Sequence, residues 1–136
     1  MQRNSKIVYI HCKEYDNFKG RGKDLTWHQK LDIVLSKFGI TTMNKGYRYV
    51  YYSMKLFEEN VVCREEFCFK DLCQAIGKRI GEKPYSVELS IKSLVELIYK
   101  NEHCGYINKV MGVPTDFAVQ IGPKHFIYLL GEIIFR

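Results

Sequence analysis

The sequence predicts an all-α domain of about six helices behind a short irregular or single-strand N-terminal arm. Three observations carry this expectation. From Asp24 onward, apolar residues recur at steps of three and four. Glycine and proline cut that pattern into helix-length pieces. The one early β-branched run, Lys6-Ile7-Val8-Tyr9-Ile10, has no second clear strand nearby to pair with. The expected division is therefore an arm over residues 1–23 and a helical domain over 24–136.

Each helix has its own signal. Asp24 reads as the N-cap of a first helix carrying Leu25, Leu31, Val34, Leu35 and Phe38 on one side and stopped by Gly39. A second runs from about Lys45 to Glu59, with Tyr47, Val50, Tyr51, Met54 and Phe57 at helical spacing. Asn60 to Cys68 fits either a strand through Val61-Val62 or the lead-in to the next helix. Phe69, Leu72, Cys73, Ile76 and Ile80 make a third helix, broken by Gly81-Glu82-Lys83-Pro84. Pro84 sits where a first-turn proline belongs. The helix it opens runs to about Lys100, with Val87, Ile91, Leu94, Val95 and Ile98 on one face. Two shorter helices, about Glu102–Met111 and Gly122–Phe135, complete the chain, joined by a loop through Gly112-Val113-Pro114-Thr115.

Length, 136 residues, allows one domain with a real core. No run of eighteen apolar residues occurs and no long apolar stretch follows Met1, so neither a membrane span nor a signal peptide is expected, and the cytoplasm is the expected compartment. The five cysteines, Cys12, Cys63, Cys68, Cys73 and Cys104, contain no CxxC pair and read as reduced, mostly buried thiols. His11-Cys12 and His103-Cys104 are bare dipeptides, whereas structural zinc sites space their ligands by two to four residues, so no metal is expected. Phosphate-loop and dinucleotide fingerprints are absent, since Gly20-Arg21-Gly22 lacks the third glycine. The chain therefore reads as a binding protein, with no enzyme activity, cofactor or small-molecule substrate expected. The net charge of +6 points to an acidic partner, with nucleic acid the commonest one. Most of that excess lies in residues 1–30, where seven Lys/Arg face three Asp/Glu.

The segment Leu72 to Glu88 has the form of a helix-turn-helix, in which two helices cross at close range. That crossing requires a small residue within the first helix, met by Gly77, and a glycine in the turn, met by Gly81. It also requires apolar residues of the second helix facing the first, met by Val87 and Ile91. An ordinary helical hairpin would satisfy the same pattern.

The surroundings add a resemblance. Gly39-Ile40 followed by Lys45-Gly46-Tyr47-Arg48-Tyr49 resembles the G-(I/V)-P-x-x-x-K-G-Y-x-Y-L segment in the effector domain of the master sporulation response regulator family. Lys83-Pro84-Tyr85-Ser86-Val87-Glu88 through Tyr99 resembles that family's recognition helix, with Pro84, Val87, Glu88, Ile91 and Glu96 identical and Lys92, Val95 and Tyr99 conservative. Gly122-Pro123-Lys124-His125-Phe126-Ile127 resembles the opening of its last helix. The likeness covers roughly Leu31 to the C-terminus. It implies a six-helix DNA-binding domain that switches transcription of stationary-phase and sporulation genes, dimeric at least on its double-stranded DNA. In that family a phosphoreceiver domain controls dimerisation. Here only about 30 residues precede the first matched helix, too few for such a domain, so no aspartate phosphorylation switch is expected.

With Val87, Ile91, Leu94, Val95 and Ile98 turned inward, the outward face of the Pro84–Lys100 helix carries Tyr85, Leu89, Lys92, Ser93, Glu96 and Lys100. Ser86 and Glu88 lie at its flanks. N-terminal positions of a reader helix approach base edges, which makes Tyr85, Ser86, Glu88, Leu89, Lys92 and Ser93 the base-reading candidates. Glu88 suits a cytosine amine, or alternatively pairs with Lys92 four residues on. The helix is electrically balanced, so phosphate attraction is expected from Lys45, Arg48, Lys78, Arg79 and Lys83 and from the arm. The chain departs from the family where it matters for readout. Two family arginines and a histidine correspond to Ser86, Leu89 and Ser93, and a third arginine to Lys92, so the family's target sequence is not transferred. The rival reading is a protein-interaction module that modulates a related regulator through outward Tyr85 and Leu89, the Ile7–Ile10 run and Tyr47, Tyr49, Tyr51 and Tyr52, with weak or no DNA binding.

Overall fold

The computed structural model describes residues 25–100 and 121–135. The described elements are α1 (Trp27–Lys37), α2 (Tyr47–Glu58), one 3-10 turn (Arg64–Glu66), α3 (Phe69–Ile80), α4 (Pro84–Ile98) and α5 (Pro123–Ile134). The fold is all-α, as the periodicity predicts. The expected strand at Lys6–Ile10, the Glu102–Met111 helix, the loop after it, Cys12, Cys104 and the Asp24 cap fall outside the described residues.

Helix boundaries follow local chemistry. Thr26 caps α1 in a capping box, its hydroxyl accepting from the Gln29 N–H while the Gln29 side chain accepts from the Thr26 N–H. The cap is thus two residues later than Asp24, at the position that has a Gln three residues on. Three helices then end the same way. Gly39, Asn60 and Gly81 all have left-handed backbones (φ 79°, 61° and 72°). In each case the next N–H reaches back to the carbonyl five residues before it: Ile40 to Leu35, Val61 to Leu56 and Glu82 to Gly77, at 2.9–3.0 Å. Glycine adopts this conformation without a Cβ penalty, and asparagine is the usual substitute.

One contiguous core joins all five helices. Leu31, Leu35 and Phe38 enter it from α1, and Val50, Met54 and Leu56 from α2. α3 adds Leu72, Cys73 and Ile76, and α5 adds Phe126, Ile127 and Leu130. α4 contributes all five residues expected, Val87, Ile91, Leu94, Val95 and Ile98. The buried hydroxyl of Ser53 donates to the Tyr49 carbonyl one turn back, so its burial leaves no unpaired donor. On the face of α2 turned away from Tyr49, Trp27 stacks on Tyr51 with ring centroids 5.3 Å apart and meets Phe135 at 6.0 Å.

Two expectations change. Asn60 to Cys68 forms neither a strand nor a helix extension. It is a left-handed helix exit followed by the 3-10 turn, because Asn60 ends α2 as a glycine would. Nor, among the described residues, are the cysteines mostly buried: Cys63 and Cys68 are exposed and Cys73 lies in the core. Cys63 precedes the 3-10 turn and Cys68 precedes α3, both on extended backbone at the surface, whereas Cys73 falls on the inward stripe of α3. Burial, with the Glu88 carboxylate nearby, pushes the Cys73 thiol up to about 12. It therefore behaves as a small apolar side chain.

Candidate nucleic-acid interface

The α3–α4 unit is set by contact of backbone on backbone. A Cβ on Gly77 would lie 2.4 Å from the Glu82 carbonyl oxygen, a separation no side chain survives without moving the turn. Gly77 therefore lets the exit of α3 pass directly beneath α4, and Gly81 turns the chain in its left-handed conformation. Lys83 then leads on extended backbone into Pro84 at the start of α4. These are the roles the sequence assigns to Gly77 and Gly81.

α2 locks this unit from the other side. The Tyr49 hydroxyl donates to Glu82 Oε1 at 2.7 Å, and Arg48 lies 3.9 Å from Glu82 Oε2. Burial, together with the hydrogen bond to Glu82, raises the Tyr49 pKa, so this donor stays protonated through the physiological range. Gly46, itself buried, packs against α4 so closely that a Cβ there would sit 2.9 Å from Leu94 Cβ and 3.2 Å from the Ser90 carbonyl. The loop ahead of it is braced by the Thr41 N–H donating to Asn44 Oδ1 at 2.8 Å. The consequence is that Asn44 and Lys45 line a shallow groove of about 310 Å³ whose other wall is Leu89, Ser90, Ser93, Leu94 and Leu97. Glu82 and Gly46 are the positioning residues that sequence reasoning missed. For Gly46 a signal existed, since it lies in the K-G-Y match; for Glu82 none did.

The outward face of α4 is as the helical period places it. Tyr85 is 67% exposed and Leu89 42%. Ser86, Lys92, Ser93 and Glu96 are exposed too. Glu88 is half-buried on the flank toward Cys73, and among the described residues it forms no ion pair with Lys92. The α4 N-terminus has no side-chain cap and no acidic residue in its first turn.

The five phosphate-contact candidates divide. Lys45, Lys78 and Lys83 are exposed and without an ion-pair partner among the described residues. The two arginines are engaged within the molecule. Arg48 faces Glu82, and Arg79 Nη2 lies 2.6 Å from Glu59 Oε1. The Arg79 hydrogen bond holds the Glu59 carboxyl below its ordinary range. The tyrosines of α2 also divide: Tyr49 is buried, while Tyr47, Tyr51 and Tyr52 are half-buried among Trp27, His28 and Asp32.

No described helix is long and apolar enough to cross a membrane. A family model described as the sporulation initiation factor Spo0A C terminal matches residues 31–127, most of the chain and all of α2, α3 and α4. No curated protein and no solved structure matches significantly.

Proposed function

Since the chain belongs to the Spo0A C-terminal domain family, a family of DNA-binding domains in sporulation control, we propose that it is a sequence-specific transcriptional regulator that reads the major groove with α4. One observation carries this reading. α4 buries five aliphatic side chains against the bundle and presents Tyr85, Ser86, Leu89, Lys92 and Ser93 from a helix whose seat is fixed by the Gly77 backbone contact. Base-edge contact falls to those residues, with Glu88 at the flank. Phosphate contact falls first to Lys45, Lys78 and Lys83, which have no carboxylate partner among the described residues, and only after exchange of partners to Arg48 and Arg79. The uncapped first turn of α4 offers the Tyr85 and Ser86 N–H groups to a phosphate in the same place. Residues 1–23 act as a basic arm that adds to this attraction, and the protein works in the cytoplasm on the nucleoid as a dimer on DNA.

A second reading is favoured by one observation, the exposure of Tyr85 and Leu89 on an electrically balanced helix. In that case the same face holds another protein, and DNA binding is weak. Selection of bound duplexes from a random pool at two salt concentrations, with Lys92→Ala alongside, tests both. Major-groove reading gives an enriched motif that relaxes in the variant and an affinity that falls steeply with salt. Absence of any bound duplex at either salt overturns it.

A further inference from the structure

Leu89 stands at the centre of the exposed face of α4. Its four neighbours on a helix surface, three and four residues either way, are Tyr85, Ser86, Lys92 and Ser93, and every one is exposed. Leu89 is 42% exposed, so a partner that docks on this face can cover an aliphatic group at its centre and gain from that burial. Its surroundings say what kind of partner does so. Lys92 lies on the same face, Lys83 at the head of the helix, and Lys45 lines the groove that Leu89 borders, so an apolar centre has three lysines about it that form no ion pair among the described residues. A polyanion with apolar projections complements that pattern better than an apolar protein surface does. In the DNA major groove the one apolar projection on a base edge is the thymine C5 methyl. The commonest specific contact, a bidentate arginine on guanine, is closed to this helix, because α4 contains no arginine and Arg79 of the preceding helix is held by Glu59.

We propose that Leu89 is a specificity-determining residue that packs on a thymine methyl, so that the preferred site has thymine opposite the middle of α4. This rests on the reading of α4 as the major-groove helix. Discrimination then comes from an apolar contact at the centre, with Ser86, Ser93 and Lys92 supplying the adjacent polar contacts.

Deoxyuridine differs from thymidine only by that methyl, so the test leaves the protein intact. Duplexes recovered from the random pool are resynthesised with each thymine replaced in turn by uracil, and the full chain is titrated against each. Covering one methyl-sized apolar group contributes about 0.8 kcal/mol, which at 1.4 kcal/mol per decade is about fourfold in affinity. The expected result is one thymine per bound α4 whose replacement weakens binding about fourfold. Leu89→Ala should bind the thymine duplex about fourfold more weakly, bind thymine and uracil duplexes alike, and keep the wild-type helical circular-dichroism spectrum at the titration temperature, since Leu89 is not among the buried core residues. An enriched motif in which every thymine tolerates uracil, or a Leu89→Ala variant that still separates the two, overturns the proposal and leaves major-groove reading standing. If no duplex is enriched, both readings fall and the apolar centre is a protein contact.

Discussion

The two faces of α2 are held by different physics. Around the α3–α4 turn the limiting contacts are between backbone atoms: Gly77 beneath the Glu82 carbonyl, and Gly46 against Leu94 and the Ser90 carbonyl. On the other face, where α1 meets α2 and the tail of α5, the contacts are between half-buried rings, Trp27, Tyr51 and Phe135, with exposed His28 beside them. A ring can rotate or slide to absorb a change, but a carbonyl in a closed turn cannot. The face that positions α4 is therefore the intolerant one, and the outward side chains of α4 are placed by the backbone beneath them, as the proposed groove reading requires.

Gly77→Val is the sharpest way to break that contrast. With backbone rather than a flexible side chain in the way, overpacking should cost about 3 kcal/mol, seen as a fall in Tm of roughly 10 °C, with DNA affinity lost along with the turn. A Tm within a degree or two of wild type would mean that the turn yields as the rings do. Trp27→Ala should be milder, about 1–2 kcal/mol from lost ring contacts at a partly exposed site. It should leave the salt dependence of DNA binding unchanged. Loss of DNA binding in Trp27→Ala at a temperature where the protein is folded would show that the two faces are coupled.

Glu59→Gln should have the smallest effect on stability and an informative one on binding. In the folded protein the Arg79 guanidinium holds the Glu59 carboxyl below its ordinary range. The stabilisation is therefore complete above that range and is lost as pH falls through the folded-state value. The Tm difference between wild type and Glu59→Gln should accordingly be small at neutral pH and vanish in acid, as befits a surface pair. The same substitution frees Arg79, so the DNA-binding constant should become steeper in salt, by up to about one phosphate contact. An unchanged salt slope would place Arg79 away from the DNA backbone.

The parts of this site legible in sequence share a property. Val87, Ile91, Leu94, Val95 and Ile98 turn inward and Tyr85, Leu89, Lys92 and Ser93 outward because a 3.6-residue period fixes faces once one face is known. Gly39 and Gly81 mark helix ends because a left-handed residue is a local demand. Asn60 meets the same demand, yet it is invisible as a stop beside Val61-Val62, whose β-branched side chains suggest a strand. The capping box at Thr26 and Gln29 was open to view and outranks Asp24 by its spacing.

The sequence by itself determined the all-α class, the helix-turn-helix with its two glycines, the buried and exposed faces of α4, and the family. All of these rest on residues within a few turns of one another or on a motif in order along the chain. Which arginines are engaged within the molecule is a matter of tertiary structure alone. Arg79 meets Glu59 across 20 positions and Tyr49 meets Glu82 across 33. Tertiary structure also decided that Gly46 seats the loop of Lys45 against α4 near Leu94. Such pairings depend on how one helix crosses another, a relation that no periodicity within either helix contains.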